Sequence, residues 1–433
     1  MKKIAIIGGG LAGMSAALEL ANNNFEIHIF EKNSSLGGRA GSFNIDGEVF
    51  DTGQHILLGC CKSLLRFLKK LHSGKFVKFY SSYHFLDNNG RKYSLSPSLF
   101  IPPPFHYLLS FAMFNALSMK ERLHTMKMFD VIRKIPPTRF VEYKDVFFSD
   151  WLESNFVTKN EITNIWYPLL TGTLNARLDM ISTADALFVI KEGFFTEFKS
   201  AFMGTANVPL VMLYDPIKDM NNIHIHFLSN IKEFSKEDNS ILTSNNQRFI
   251  ADAFIFAIPP WNLKHISGCN YFLNDVSILD KFKSSSITSV HLEVPGKYVR
   301  NDAICLLGGK IHWVFRKGKA HSKLGLRLQC VISASKDFEK MTQACLIDIA
   351  VNDLARYFRI KKGFTPYSGR VTRIKNATFI LSPEIYGNRP PTKTQLDNVY
   401  LAGDWTSTGW PSTMESAVRS GVNASESVID SFS

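Results

Sequence analysis

The stretch Lys3-Ile4-Ala5-Ile6-Ile7-Gly8-Gly9-Gly10-Leu11-Ala12-Gly13, continued by Phe25-Glu26-Ile27-His28-Ile29-Phe30-Glu31, decides how this chain folds. Lys3 to Ile7 is a short apolar, β-branched run. Leu11 to Ala21 repeats apolar residues at helical spacing, and Phe25 to Phe30 alternates. The order is strand, glycine turn, helix, strand: a βαβ unit whose turn reads G-x-G-x-x-G. Gly8 permits the tight turn, Gly10 lets the backbone approach a pyrophosphate, and Gly13 lets the helix pack on the strand. Leu11 and Ala12 open that helix, whose free N–H groups face the phosphates. Glu31 closes the second strand where a carboxylate accepts both hydroxyl hydrogens of an adenosine ribose. An acid there disfavours a 2′-phosphate, which leaves FAD and NAD ahead of NADP.

The next motifs separate these two. Leu36-Gly37-Gly38-Arg39-Ala40-Gly41-Ser42 is a second glycine turn whose arginine can reach a pyrophosphate or flavin-side phosphate. Near the C-terminus, Leu401-Ala402-Gly403-Asp404-Trp405 sets a carboxylate at a strand end, suited to a ribityl hydroxyl. Ser412-Thr413-Met414-Glu415-Ser416-Ala417 then opens a helix whose N-terminal amides suit the electron-rich edge of a reduced flavin. Both ends of the chain therefore point to FAD. Between them, His224 to Phe234, Ile241 to Thr243 and Phe249 to Ile258 read as three strand-like pieces. Tyr83 to Phe202 carries helical patterns around Pro102-Pro103-Pro104, and Ser284 to Thr378 is mostly strand-like.

The triple of fingerprint, G-G-R and C-terminal A-G-D helix resembles the amine oxidase and carotenoid desaturase superfamily of FAD enzymes. Within it, the run Asp51-Thr52-Gly53-Gln54-His55-Ile56-Leu57-Leu58-Gly59-Cys60 resembles the hydroxysqualene dehydroxylases, also called squalene-associated FAD-dependent desaturases. Tyr167 to Asn175 is near that family's P-L-x-x-x-x-L-N, and Leu401 to Thr406 with Gly409 to Glu415 is near its L-A-G-D-W-T and G-L-P-A-T-x-E. Trp410 and Ser412 depart from the usual Leu and Ala, and Trp410 is expected to narrow the pocket.

The resemblance implies an α/β fold: a Rossmann-type FAD-binding domain from 1–80, 204–265 and 395–433, with an inserted α+β substrate domain and helical lid from 81–203 and 266–394. It implies reductive removal of the hydroxyl of hydroxysqualene to give squalene. A carotenoid-type desaturase and a non-catalytic binder of prenylated partners, of the GDI kind, remain as rivals. Cofactor contacts are expected from Gly8, Gly10, Leu11, Ala12, Gly13, Glu31, Gly37, Gly38, Arg39, Gln54, Ile231, Gly403, Asp404, Thr413, Met414 and Glu415. The backbone of Ile231 would face the adenine edge. His55 is the expected proton donor, since imidazole titrates near neutrality, and Asp51 the residue that holds His55 or a backbone turn.

Composition agrees with an oily ligand. The 433 residues are 45% hydrophobic and include 35 Phe against 13 Tyr and 6 Trp. The formal charge of +12 suits an anionic cofactor or lipid, and basic residues form no run or finger that would suggest nucleic acid. The six Cys lack C-x-x-C spacing and read as reduced thiols of a cytosolic protein, with no metal site expected. No apolar stretch is long enough to span a bilayer. Phe105 to Met119 reads first as a buried core helix, and otherwise as a segment that lies in a membrane interface or roofs a lipid-filled pocket. The expected setting is the cytoplasm, docked on the inner face of the cytoplasmic membrane, with a long apolar isoprenoid substrate and an external electron donor.

Overall fold

The computed structural model describes residues 1–45, 47–295, 298–319, 325–360 and 364–433. The βαβ unit forms as its periodicity requires: strand Lys2–Ile7, helix Leu11–Leu20, strand Phe25–Phe30. These strands pair in parallel, Ile4 beside Ile27 and Ile7 beside Phe30. They lie inside a five-stranded parallel sheet in the order Ile223–His226, Phe25–Phe30, Lys2–Ile7, Ala253–Phe256, Val399–Leu401. Buried on both faces, the central strands carry near-continuous Ile, Phe and Ala.

The fingerprint helix lies against the C-terminal helix Met414–Phe432. Backbones approach closely there, because a Cβ on Gly421 would stand 2.2 Å from the Ala12 carbonyl oxygen. Ser15 Oγ donates to the Val418 carbonyl across the same contact.

The stretch from His224 to Ile258 folds differently from the three strands expected. It divides into five strands over two sheets. Ile223–His226 and Ala253–Phe256 join the parallel sheet, while Ile231–Ser235, Ser240–Thr243 and Arg248–Ile250 form a separate antiparallel meander. Pattern within the stretch marks the strands; only the partners offered by the rest of the chain assign the sheets.

The second large sheet has seven strands, in the order Ser368–Phe379, Ser284–Pro295, Gly325–Ile332, Trp313–Lys319, Ala303–Leu306, Tyr83–Leu86, Lys92–Leu95. One face packs on helix Gln343–Tyr357 through Leu346, Ala350 and Leu354. The other belongs to the largest apolar cluster, with helices Tyr167–Leu174 and Thr183–Phe194. Phe105 to Met119 is not one helix. It holds the short helix Leu108–Ala112 and then stops at Ser118, which caps helix Met119–Lys134 through a reciprocal box with Glu121. Capping groups pull a continuous apolar pattern into two elements. No helix among the described residues is long and apolar enough to cross a membrane.

Candidate active site

A single cavity of about 1320 Å3 runs from the fingerprint into the space between the large sheet and the helices. At one end it is lined by Gly8, Gly10, Leu11, Ala12, Glu31, Gly37, Gly38 and Arg39, joined by Gly403, Asp404, Thr413 and Met414. Sequence reasoning placed all of these together, although Gly8 and Asp404 come from opposite ends of the chain.

The fingerprint glycines divide the work as their chemistry predicts. A Cβ on Gly10 would meet nothing within 4 Å, so that position opens onto the cavity and a ligand can touch the backbone there. A Cβ on Gly13 would lie 2.0 Å from the Gly8 carbonyl oxygen, and Gly13 does not line the cavity; it serves helix packing alone. Glu31 is buried. One carboxylate oxygen accepts from Gly9 N at 2.8 Å and the other from Asn33 N at 2.9 Å and Asn33 Nδ2 at 2.8 Å. The oxygen that accepts from Gly9 N still has a lone pair to offer a ribose hydroxyl.

Arg39 and Asp404 pair directly across this end, and Arg39 also donates to the Ala377 carbonyl of the large sheet at 3.2 Å while lying over Trp261. Arg39 therefore stands at the waist of the cavity. Burial works to raise the Asp404 pKa, but the Arg39 guanidinium and the Ser412 hydroxyl, 2.6 Å away, outweigh it and the net shift is downward. Behind this loop Arg389 donates to the backbone carbonyls of Asp404 and Trp410 and to Ser416 Oγ. Sequence reading missed Arg389; an arginine within Asn388-Arg389-Pro390-Pro391 carries no periodic signal of its place.

The geometry sharpens the reading of Glu415, decides between the two roles expected of Asp51 and overturns that of Trp410. Glu415 lines the cavity beside Thr413 and Met414, but its carboxylate is held by protein groups. It accepts from Ser63 N and Leu64 N at 3.0 and 2.8 Å, capping helix Lys62–Lys70, and pairs with Arg419 at 2.6 Å. The cause is local, since that helix starts at Cys61 without a side-chain cap of its own. Asp51 does not line the cavity or hold His55. One of its oxygens accepts from Ser42 Oγ and Leu210 N, and the other faces Lys317 at 3.4 Å, so it fixes a backbone turn. Trp410 narrows nothing, because it sits outside the cavity between Phe188 and Arg419.

His55 and Gln54 do line the cavity. Burial pushes the His55 imidazole down to about 4, with the Asp51 charge drawing it up and Lys317 driving it further down. It is therefore neutral at neutral pH, not poised near it as expected. Gln54 Nε2 donates to the His55 carbonyl at 3.3 Å, and its Oε1 is buried with no protein partner. Ile231 lines the adenine-side wall together with Ala257 and Pro259.

The far end is aromatic: Tyr83, Phe85, Tyr107, Phe111, Phe129, Phe194 and Trp313. Asn164, Ile165, Pro168 and Leu169 complete it from a π-helical turn, Ile162–Trp166, that runs into helix Tyr167–Leu174. Pro168 has no N–H for the regular ladder, which favours such a turn. Asn175 ends this helix in the left-handed region (φ 51°), accepts from Ala334 N at 2.8 Å and donates to Thr378 Oγ1 at 3.0 Å. The L-N motif thereby ties helix to sheet.

Residues 11–429 match the family described as flavin containing amine oxidoreductase. Hydroxysqualene dehydroxylase of Zymomonas mobilis is 24% identical over 97% of this chain and 97% of its own length. Zeta-carotene desaturase of Arabidopsis thaliana is 24% identical over 99% of this chain and 85% of its own. Among solved structures, putrescine oxidase bound to putrescine superposes with a TM-score of 0.74 at 14% identity, covering 99% of each chain. Cyclohexylamine oxidase of Brevibacterium oxydans gives 0.71 at 15%, over 100% of this chain and 99% of its own. The open Gly10 cradle, the ribose-side Glu31 and the helix start at Thr413 fit FAD, which is the cofactor.

Proposed function

Since the chain belongs to the flavin-containing amine oxidoreductases, we propose that this FAD-dependent oxidoreductase acts on a long apolar isoprenoid, removing the hydroxyl of hydroxysqualene to give squalene. The observation that carries the reading is one continuous cavity, which joins the FAD cradle to an aromatic tunnel whose lining, among the described residues, offers no carboxylate to an amine. Bound FAD in its reduced form supplies the hydride that replaces the departing hydroxyl, which leaves as water once protonated. A two-electron donor outside the chain restores the reduced state. The carbon losing oxygen is allylic, so the positive charge that develops is spread over the double bond. Apolar walls such as Phe85, Phe129 and Trp313 keep water from recapturing it.

His55 is the proton donor in this proposal. Its depressed pKa makes the imidazolium scarce at neutral pH but a strong acid when formed. Gln54, hydrogen-bonded to the His55 backbone, keeps the loop in register and turns an unpartnered oxygen toward the cavity region.

Collection of so insoluble a substrate suits a lipid surface. Leu99, Phe100, Phe105, Leu108, Leu109 and Met113 are exposed together around helix Leu108–Ala112, with exposed Lys120 beside them. The opposite side of that helix carries Tyr107 and Phe111 into the cavity wall. One thin element therefore separates tunnel from exterior, which supports docking on the inner face of the cytoplasmic membrane and entry past this helix.

The second reading, a carotenoid-type desaturase, runs hydride from chain to oxidised FAD and is supported by the equal identity to zeta-carotene desaturase. One anaerobic experiment separates them. Photoreduced protein is mixed with hydroxysqualene, oxidised protein with a C30 or C40 polyene precursor, and flavin absorbance and products are followed. Squalene formed in step with flavin oxidation supports the dehydroxylase. Flavin bleaching by the polyene, with hydroxysqualene inert, overturns it.

A further inference from the structure

Strands Phe25–Phe30 and Ile223–His226 are parallel neighbours at one edge of the sheet, with His28 beside His224 in register. Side chains alternate across a sheet, so Glu26-x-His28 and His224-x-His226 place four polar side chains on one face. We propose that Glu26, His28 and His224 form a binding site for a divalent transition-metal ion of the Zn2+ class, supported from behind by His226.

One ligand atom from each of the three lies within 4.8 Å of the others. His28 Nε2 is 3.0 Å from a Glu26 carboxylate oxygen, and the His28 and His224 rings lie 4.9 Å apart. The other nitrogen of His28, Nδ1, is 3.0 Å from His226 Nε2. With the Nδ1 proton given to His226, the Nε2 lone pair points at the carboxylate, and a cation between them turns a repulsive contact into two bonds. A second partner that fixes tautomer and ring orientation is the usual support of a metal-bound histidine. Two nitrogens and one oxygen with a solvent-filled fourth position suit Zn2+ and its borderline neighbours better than Ca2+ or Mg2+.

The surroundings agree with this assignment. Phe249 of the meander lies 4.5 Å from His28 and roofs the site, while His224 leaves it open to solvent. The His226 carbonyl accepts from Glu31 N at 2.9 Å, so an ion clamping these strands braces the segment that carries the ribose-side acid.

The absence of C-x-x-C spacing bears only on cysteine sites and leaves a histidine–carboxylate site open. The test uses the full-length FAD-loaded protein, stripped with chelator, freed of it and titrated with Zn2+ by calorimetry. Cu2+ electron paramagnetic resonance on the same samples counts bound imidazoles. One ion per chain is expected, weakened at least about tenfold by His224→Ala or Glu26→Gln and roughly 10–100-fold by His226→Gln. Cu2+ should show coupling to two ring nitrogens in the wild type and one in His224→Ala. Zn2+ should also raise the thermal midpoint of the wild type and leave that of His224→Ala unmoved. His224 is exposed, so its variant keeps the fold, and unchanged circular dichroism verifies this. Cys345 is the exposed cysteine of the chain, and Cys345→Ser should leave binding unchanged. A wild type without a 1:1 ion, or one whose ion is lost in Cys345→Ser and kept in His224→Ala, overturns the assignment.

Discussion

At the fingerprint end of the cavity the chain offers main-chain atoms from Gly8, Gly10, Gly37, Gly38 and Gly403, whereas at the far end it offers the rings of Tyr83, Phe85, Phe111, Phe129 and Trp313. The first kind of surface exists because side chains are missing, and three short turns suffice to build it. The second exists because side chains from a sheet and several helices converge. A phosphate needs donors at fixed places, which backbone amides provide without rotamer freedom. An isoprenoid needs only apolar area, which many combinations of residues supply. The cofactor end should therefore fail abruptly under single substitutions, and the tunnel end gradually.

The largest effect is expected at Gly10. Gly10→Val puts its side chain into open cavity at an ordinary backbone angle (φ −78°), so the apoprotein should keep its circular dichroism and emerge from gel filtration without flavin. Gly13→Ala strikes a carbonyl 2.0 Å away and should instead lose folded yield. If both variants fold and hold FAD, the contrast between a binding glycine and a packing glycine collapses.

His55→Gln comes next. It should leave the flavin spectrum intact and slow single-turnover oxidation of reduced flavin by hydroxysqualene by roughly 10²–10⁴-fold, as for a lost general acid. The wild-type rate has a sign to check as well. A donor with its pKa at about 4 works in the protonated form, so the rate should fall as pH rises above that value, by about tenfold per unit, and the Gln variant should be flat. A flat wild-type profile between pH 5 and 8 removes His55 from the chemistry.

Smaller changes are expected on the exterior of the tunnel. Phe100→Asp and Leu109→Asp each remove apolar area that would enter a bilayer, worth about 1.5–3 kcal/mol, and should weaken flotation with anionic liposomes by roughly 10–100-fold apiece. Turnover of detergent-solubilised substrate should not change. Equal flotation of wild type and variants would place the docking surface elsewhere. The smallest effect belongs to Trp410→Leu. Because that ring packs on Phe188 and Arg419 outside the cavity, kcat/KM and product identity should stay within about twofold, the range of an ordinary surface change. A shift in product chain length would return Trp410 to the pocket.

The same contrast explains what could be read in the chain. Gly8 to Gly13, Glu31, Gly37 to Arg39 and Gly403 to Asp404 were legible because each motif is a local conformation with a local chemical purpose. Where a residue's purpose depends on a distant partner, the reading was incomplete. Glu415 lines the cavity as its place on the flavin-side helix suggested, yet the uncapped start of helix Lys62–Lys70 claims its carboxylate. Asp51 was expected to hold His55 or a backbone turn, and only its contacts with Leu210 N and Ser42 decide for the turn. Trp410 looked like a pocket wall, and Phe188 takes it instead.

By itself the sequence determined the order of strand, turn and helix and the dinucleotide cradle, since periodicity and glycine stereochemistry act over a few residues. The tertiary structure alone decided which strands of 223–256 join which sheet, how far His55 is pushed from its ordinary pKa, and that Glu26, His28, His224 and His226 share one face. Those outcomes depend on burial and on contacts between segments some two hundred residues apart, such as His28 with His226, and desolvation and pairing exist only once the chain has closed on itself.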